Sequence, residues 1–368
     1  MKCFCLLGGM LFLLAASAAS AQPVQTVPSP LPNAPVPVTA PQAAPIAVTP
    51  PPAAPISVTA PPPEPTPPCK VNAIEPEAHQ AFSFFVDGDY LYVRPRSRNM
   101  DYALVDPFSD GRVAGNFQSL DWNWQSAFVV RAGAQLDQGL EIIFSYSYLH
   151  DASQGGVMAP DSGTLFATMT HPGTVDQVNS AFANTSFNYN LFDFELARTF
   201  KLADCFALWV FGGSRSARID QNFNVLYDGN TANKDFVASQ VRFNGTGARL
   251  GGEAIWHPGD GWGLYGRAAA SLVLGDFKTQ LSEVNNAGAT VLVDVTDRFQ
   301  KVVPVLDLGF GITHQYRGWR ITAGYEYTNW FGLADLPDFV DDFHQGKFTR
   351  RVSDVSIDGL VVRVEYRY

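Results

Sequence analysis

The chain has 368 residues, with 25 Lys and Arg against 35 Asp and Glu, for a formal net charge of −10. That balance excludes a nucleic-acid surface, which needs clustered cations. Charged residues are only 16% and aromatics 13%, which suits alternating strands better than a helical enzyme.

At the N-terminus, Lys2 is followed by an apolar stretch from Phe4 to Ala16. Ala19-Ser20-Ala21 then forms a small-x-small site before Gln22. This pattern predicts a signal peptide over residues 1–21, too short in its apolar part for an anchor. Residues 22–75 form a Pro-rich segment. Eighteen of the 26 prolines lie between 23 and 69, in a ten-residue repeat such as Ala43-Ala44-Pro45-Ile46-Ala47-Val48-Thr49-Pro50. Such a stretch packs no core and tends to extended polyproline II. It reads as a disordered periplasmic leader, either without a specific partner or as a spacer or ligand for the cell wall. After the signal, charges or Gly and Pro interrupt every candidate for a membrane helix.

The signal peptide implies an oxidising compartment, which allows Cys69 and Cys205 to form a disulfide, with free thiols as the alternative. Both fall on the periplasmic side of the topology below.

Residues 76–368 read as strands. The first is expected over about 82–94, where Phe84, Val86, Tyr90 and Tyr92 alternate with Asp87, Asp89, Leu91 and Val93. Others are expected over about 126–136, 140–150, 186–200, 206–218, 241–256, 262–275, 302–316 and 319–328, with a bulge in the fourth before Phe192. The last nine residues close the series. Leu360, Val362, Val364, Tyr366 and Tyr368 share one face; Val361, Arg363, Glu365 and Arg367 share the other. An apolar-aromatic face opposite a charged one suits a wall between lipid and water. The connections alternate: long after odd strands, including loops over 219–240 and 276–301, and short after even ones. Outer-membrane barrels show that alternation, with short periplasmic turns and long extracellular loops. The reading is an all-β antiparallel transmembrane barrel of ten strands, or twelve if 276–301 supplies two more.

The polar face carries Arg131, Glu141, Asp193, Glu195, Arg249, Glu253, Asp307, Arg320, Glu326, Arg363, Glu365 and Arg367 beside many small residues. Facing a narrow lumen, both signs pair across it and Gly relieves crowding. Tyr and Trp near strand ends, among them Tyr92, Tyr148, Trp256, Trp262, Trp319 and Tyr327, suit interfacial girdles.

From about Phe82 onward the chain resembles the Legionella-type major outer membrane protein family, a group of pore-forming barrels. The resemblance rests on Gly88-Asp89-Tyr90-Leu91-Tyr92, Asp193-Phe194-Glu195-Leu196-Ala197-Arg198, Phe243 through Glu253, and Leu306-Asp307-Leu308-Gly309-Phe310-Gly311. It implies an integral outer-membrane protein of porin-like or structural activity and supplies no catalytic residues. The closing strand also looks like those that the barrel-assembly machinery reads, through Leu360, Val362, Val364, Tyr366 and Tyr368.

For catalysis, Asp87 and Asp89 share a strand face, and Asp342 and His344 would share another. Together they resemble the paired groups of omptin proteases. Their positions argue against it: the first two sit mid-strand and His344 belongs to an outer loop. No nucleophile elbow, metal-ligand spacing or phosphate loop appears, and no cofactor is expected. The expected function is passive diffusion of small solutes or ions through a charged lumen. The alternatives are a non-conducting structural or surface-contact barrel, a soluble periplasmic β-sandwich binding a ligand, and a barrel protease. The expected partners are outer-membrane lipids and the assembly machinery.

Overall fold

The computed structural model describes residues 83–98, 100–108, 110–136, 139–171, 173–339 and 346–367. The predicted signal peptide, the Pro-rich segment with Cys69, and the residues up to 82 lie outside them. So do Asp342, His344 and Tyr368.

Ten strands close into one antiparallel barrel: β1 (Ser83–Arg96), β4 (Gln125–Gln135), β5 (Leu140–Met158), β8 (Ser180–Ala203), β9 (Phe206–Gly229), β10 (Ala232–Gly259), β11 (Trp262–Asn285), β12 (Thr290–Tyr316), β13 (Trp319–Phe339) and β14 (Phe348–Arg367). The first and last strands meet in register, Asp89 opposite Arg363 and Tyr90 opposite Val362. Four short strands, β2 (Asp101–Asp106), β3 (Asn116–Ser119), β6 (Thr164–Ala167) and β7 (Gln177–Val178), make a second sheet in the order β3-β2-β6-β7.

The expectation of ten strands holds, and the twelve-strand alternative does not. The loops expected at 219–240 and 276–301 are corrected. Both are β-hairpins that continue the barrel wall, turning at Asn230 and at Asn286-Ala287-Gly288. The polar residues there resemble loop sequence, because the outer face turns polar while alternation continues. The bulge expected before Phe192 is also absent: β8 alternates evenly through that point, and its pairing with β9 shifts between Lys201 and Ala203.

At the opposite rim, two-residue turns join β10 to β11 and β12 to β13. Asp260 and Gly261 have φ of 52° and 77°, and Arg317 and Gly318 have 46° and 81°. Positive φ at both central residues matches the twist of the flanking strands, which is why Gly occupies the second position. We call this end the turn rim and the other the loop rim.

The wall reverses its polarity along its length. Near the turn rim the outer face is apolar: Leu264, Leu272 and Leu274 on β11, Val302, Leu308, Phe310 and Ile312 on β12, and Leu360, Val362 and Val364 on β14 are all exposed. From Trp262 to Leu274, twelve steps at ~3.4 Å and a tilt near 45° give a height of roughly 29 Å, the thickness of a bilayer core. Exposed Trp256, Trp262, Trp319 and Tyr366 ring its lower edge. Beyond this band the outer face carries rows of polar side chains, with Phe182, Leu226 and Phe236 exposed near the loop rim. Gln240 donates to Asn222 at 2.6 Å, Asn222 to Ser186 at 3.0 Å and Asn224 to Asn184 at 3.1 Å, forming ladders suited to water. The inner face reverses too, from charged inside the band to apolar above it. Phe223, Val225, Val237, Val241, Phe243, Val273 and Phe277 are buried there. The strands thus carry a membrane barrel and, on the same hydrogen-bonded wall, a water-facing head with a core of its own.

Candidate functional site: a charged interior beneath an apolar cap

Every one of the twelve charged residues expected on the polar face lies on the inner side of the wall, and they form three tiers. Lowest, at the turn rim, Arg367 bonds Glu365 and, at 2.8 Å, Glu141; Arg320 reaches Glu365 at 3.5 Å. Glu141 also accepts from Trp209 Nε1 at 2.9 Å.

In the middle tier, Arg131 on β4 bonds Asp87 at 2.7 Å and Asp89 at 2.8 Å. Arg363 on β14 donates to the same Asp89 at 2.9 Å and to Glu326 at 3.2 Å, with Glu253 at 3.7 Å. Asp87 and Asp89 therefore neutralise arginines. Asp342 and His344 lie outside the described residues.

In the upper tier, Arg215 bonds Asp193 at 2.8 Å and Asp307 at 3.0 Å, and Arg249 bonds Glu195 at 2.8 Å and also Asp307. Asp307 lies on β12 while Arg215 lies on β9, so these bonds cross the interior. Packing explains how such large groups fit. A Cβ added at Gly251, beside Arg249 on β10, would lie 2.5 Å from both the Phe211 ring and Ala269.

Sequence reasoning misses Arg215 and Arg267. Both sit at inward positions in small-residue runs, Gly212-Gly213-Ser214-Arg215 and Gly266-Arg267-Ala268, where strict alternation marks them. A cavity of about 310 Å³ opens among the lowest two tiers, and one of about 110 Å³ lies between the middle and upper tiers.

Above the upper tier the interior is filled by apolar side chains. Trp330, Phe187 and Tyr227 have 0% exposure. Trp330 Nε1 donates to Tyr189 at 3.2 Å, and Phe243 packs on Phe277 at 4.8 Å. The segments between β1 and β4 and between β5 and β8 reach into this core. Trp122 packs on Phe187 at 5.1 Å, and its carbonyl accepts from Arg94 at 2.8 Å. Tyr227 donates to the Tyr102 carbonyl at 2.5 Å, and Leu120 and Leu165 are buried. The small sheet caps the barrel.

One acidic pair belongs to this head, above the membrane band. Asp235 and Glu283 are fully buried. Glu283 Oε2 accepts from the His171 backbone N–H at 2.6 Å, tying the β6–β7 segment to β11. Neither Asp235 oxygen nor Glu283 Oε1 meets an N–H or O–H donor among the described residues. The two carboxyls lie against each other, an arrangement that favours a shared proton over two charges. Burial pushes Glu283 up to about 8, with the Asp235 charge adding to the rise. Burial likewise raises Asp235 to about 6.

Of the closing-strand residues, Leu360, Val362, Val364 and Tyr366 are exposed on the outer face. At the turn rim, Cys205 is disulfide-bonded. Pairing with Cys69 stays the expectation of the sequence.

Residues 75–368 match the family model described as Legionella pneumophila major outer membrane protein precursor. The chain belongs to this family. It is thus a β-barrel of the outer membrane. No curated protein matches it. Among solved structures, it is similar to the outer membrane protease OmpT from Escherichia coli, at 12% identity and TM-score 0.42, covering 79% of this chain and 99% of that one. It is also similar to a mutant of the TodX monoaromatic hydrocarbon channel, at 12% identity and TM-score 0.31, covering 79% and 91%. A FadL homologue from Pseudomonas aeruginosa matches at 7% identity and TM-score 0.21, covering 78% and 90%.

Proposed function

We propose that this family member is a sealed, non-enzymatic outer-membrane scaffold that presents its head to the cell exterior. It does not act as an open diffusion pore. The observation that supports this reading is the apolar core at the loop rim, where Trp330, Phe187 and Tyr227 are fully buried across the interior. A conducting path needs continuous water, and a dry core of packed aromatics breaks it. The head, held rigid by hairpins that prolong the wall, is the working surface. The turn rim faces the periplasm, where the Pro-rich segment would extend toward the cell wall. Outer-membrane lipids meet the apolar band, and the assembly machinery reads the closing strand.

Porin-like diffusion is the second reading, favoured by the charged lower interior and its cavity of about 310 Å³. It requires the aromatic core at the loop rim to open and the β2–β3–β6–β7 cap to leave. Planar-bilayer recording of the purified chain, with folding verified by heat-modifiable gel migration, tests the two. The sealed scaffold gives no stable steps. Stable steps that change when Glu253 is neutralised would overturn it in favour of the pore.

A further inference from the structure

The geometry points to an oxyanion-binding site in the turn-rim cavity, organised by Arg267 and open to small carboxylates or phosphoryl groups from the periplasmic side. This holds whether or not the interior conducts.

Seven arginines face the barrel interior within the membrane band. Six of them, Arg131, Arg215, Arg249, Arg320, Arg363 and Arg367, have a carboxylate within 3.5 Å. Arg267 has no hydrogen bond or ion pair among the described residues. Its guanidinium lies over the rings of Phe211, at 5.2 Å, and Trp209, at 5.9 Å. Ring faces attract a cation but accept none of its five N–H donors in the plane of the guanidinium. Arg267 is only partly buried and faces the cavity, so its N–H donors stand open there to an anion that offers charge-assisted bonds.

Three further features fit this role. The side chain borders both interior cavities, so it stands at the inner end of the turn-rim space. Six cationic side chains line that space against four carboxylates, Asp87, Glu141, Glu253 and Glu365. Asp87, Glu141 and Glu365 are bound to arginines at short range and Glu253 more loosely to Arg363, so the lining keeps an excess of positive charge and Arg267 is the arginine in it that no carboxylate binds. The remaining wall includes Phe85, Ile143, Trp209 and Ile255, which gives an incoming molecule an apolar surface beside the cation. A volume near 310 Å³ is at the small end for ligand pockets. The matching ligand is compact, with one oxyanion for the planar guanidinium fork and a short apolar body.

The test uses the full chain, folded in a non-ionic detergent. Inorganic phosphate and benzoate are titrated separately by calorimetry, with tryptophan fluorescence followed in parallel because Trp209 adjoins Arg267. Saturable binding of at least one anion is expected. Arg267→Met should weaken it at least tenfold, Arg267→Lys should restore part of it, and Arg298→Gln on the outside of the head should leave it unchanged. Benzoate alone assigns a carboxylate ligand and phosphate alone a phosphoryl one, and either supports the site. If neither anion saturates a heat-modifiable wild-type preparation, or if Arg267→Met binds as tightly as wild type, the proposal is wrong. Should Arg267→Met fail to fold, Arg267→Gln replaces it with the same expectation.

Discussion

Arg363 Nε donates to Asp89 Oδ1 at 2.9 Å, directly across the seam where the last strand closes on the first. Both side chains are buried, and Arg131 shares the same carboxylate from the other neighbouring strand. One acid therefore ties three consecutive strands of the wall. Arg363→Met would leave the buried Asp89 with half its compensation. Removing one partner of a buried pair typically costs about 3–5 kcal/mol. The expected result is a folded gel band that converts to the unfolded one at distinctly lower temperature than wild type. An unchanged transition would show that the seam does not depend on this pair.

The acidic pair in the head gives a pH dependence of defined sign. Glu283 is raised from an ordinary 4.5 to about 8, and Asp235 from 3.8 to about 6. Both folded values exceed the unfolded ones, so the folded head binds more protons between them and loses stability as pH rises across that window. Tyr227, Asp235, Glu283 and the His171 backbone are the polar groups that meet there. At pH 8.5 the amide of His171 should exchange with solvent about tenfold faster in wild type than in Glu283→Gln, since about 1.4 kcal/mol lost from the pair multiplies local opening by that factor. At pH 5 the two should match. Equal protection at both values would refute the shared proton.

Replacing residues 100–120 by a short Gly-Ser linker removes Met100, Tyr102 and Leu120 from the cap, along with β2 and β3. If the cap is what closes the interior, this variant should show stable conductance steps where wild type is silent. A silent variant that still runs as a folded barrel would place the seal lower, in the aromatic core of the wall or the tiers of ion pairs.

The disulfide at Cys205 is checked by alkylation. With Cys69→Ser, Cys205 should react with maleimide after unfolding without reductant, while wild type should not. Protection that persists in the variant would mean another cysteine is the partner.

Much of the wall is legible in the amino-acid order. The alternation through Leu360–Tyr366 and the inward set from Arg131 to Arg367 follow from a two-residue period and need no tertiary knowledge. Arg215 and Arg267 obey the same rule, yet isolated charges among small residues resemble turn sequence and hide them. The hairpins over 219–240 and 276–301 escape sequence reasoning for a stronger reason. Asn222, Asn224, Gln240 and Lys278 are polar at outward positions, which signals a loop if lipid is assumed to lie outside the whole strand.

By itself the sequence determined which side chains share a face, since successive residues of a strand must point to opposite sides. It also determined where the tight turns fall, since Asp260-Gly261 and Arg317-Gly318 suit positive φ. What each face meets was decided only by the closed wall. The same alternation places Phe310 in lipid and Phe277 in a dry core, because the band's height and the capping sheet, not the period, set what lies on either side.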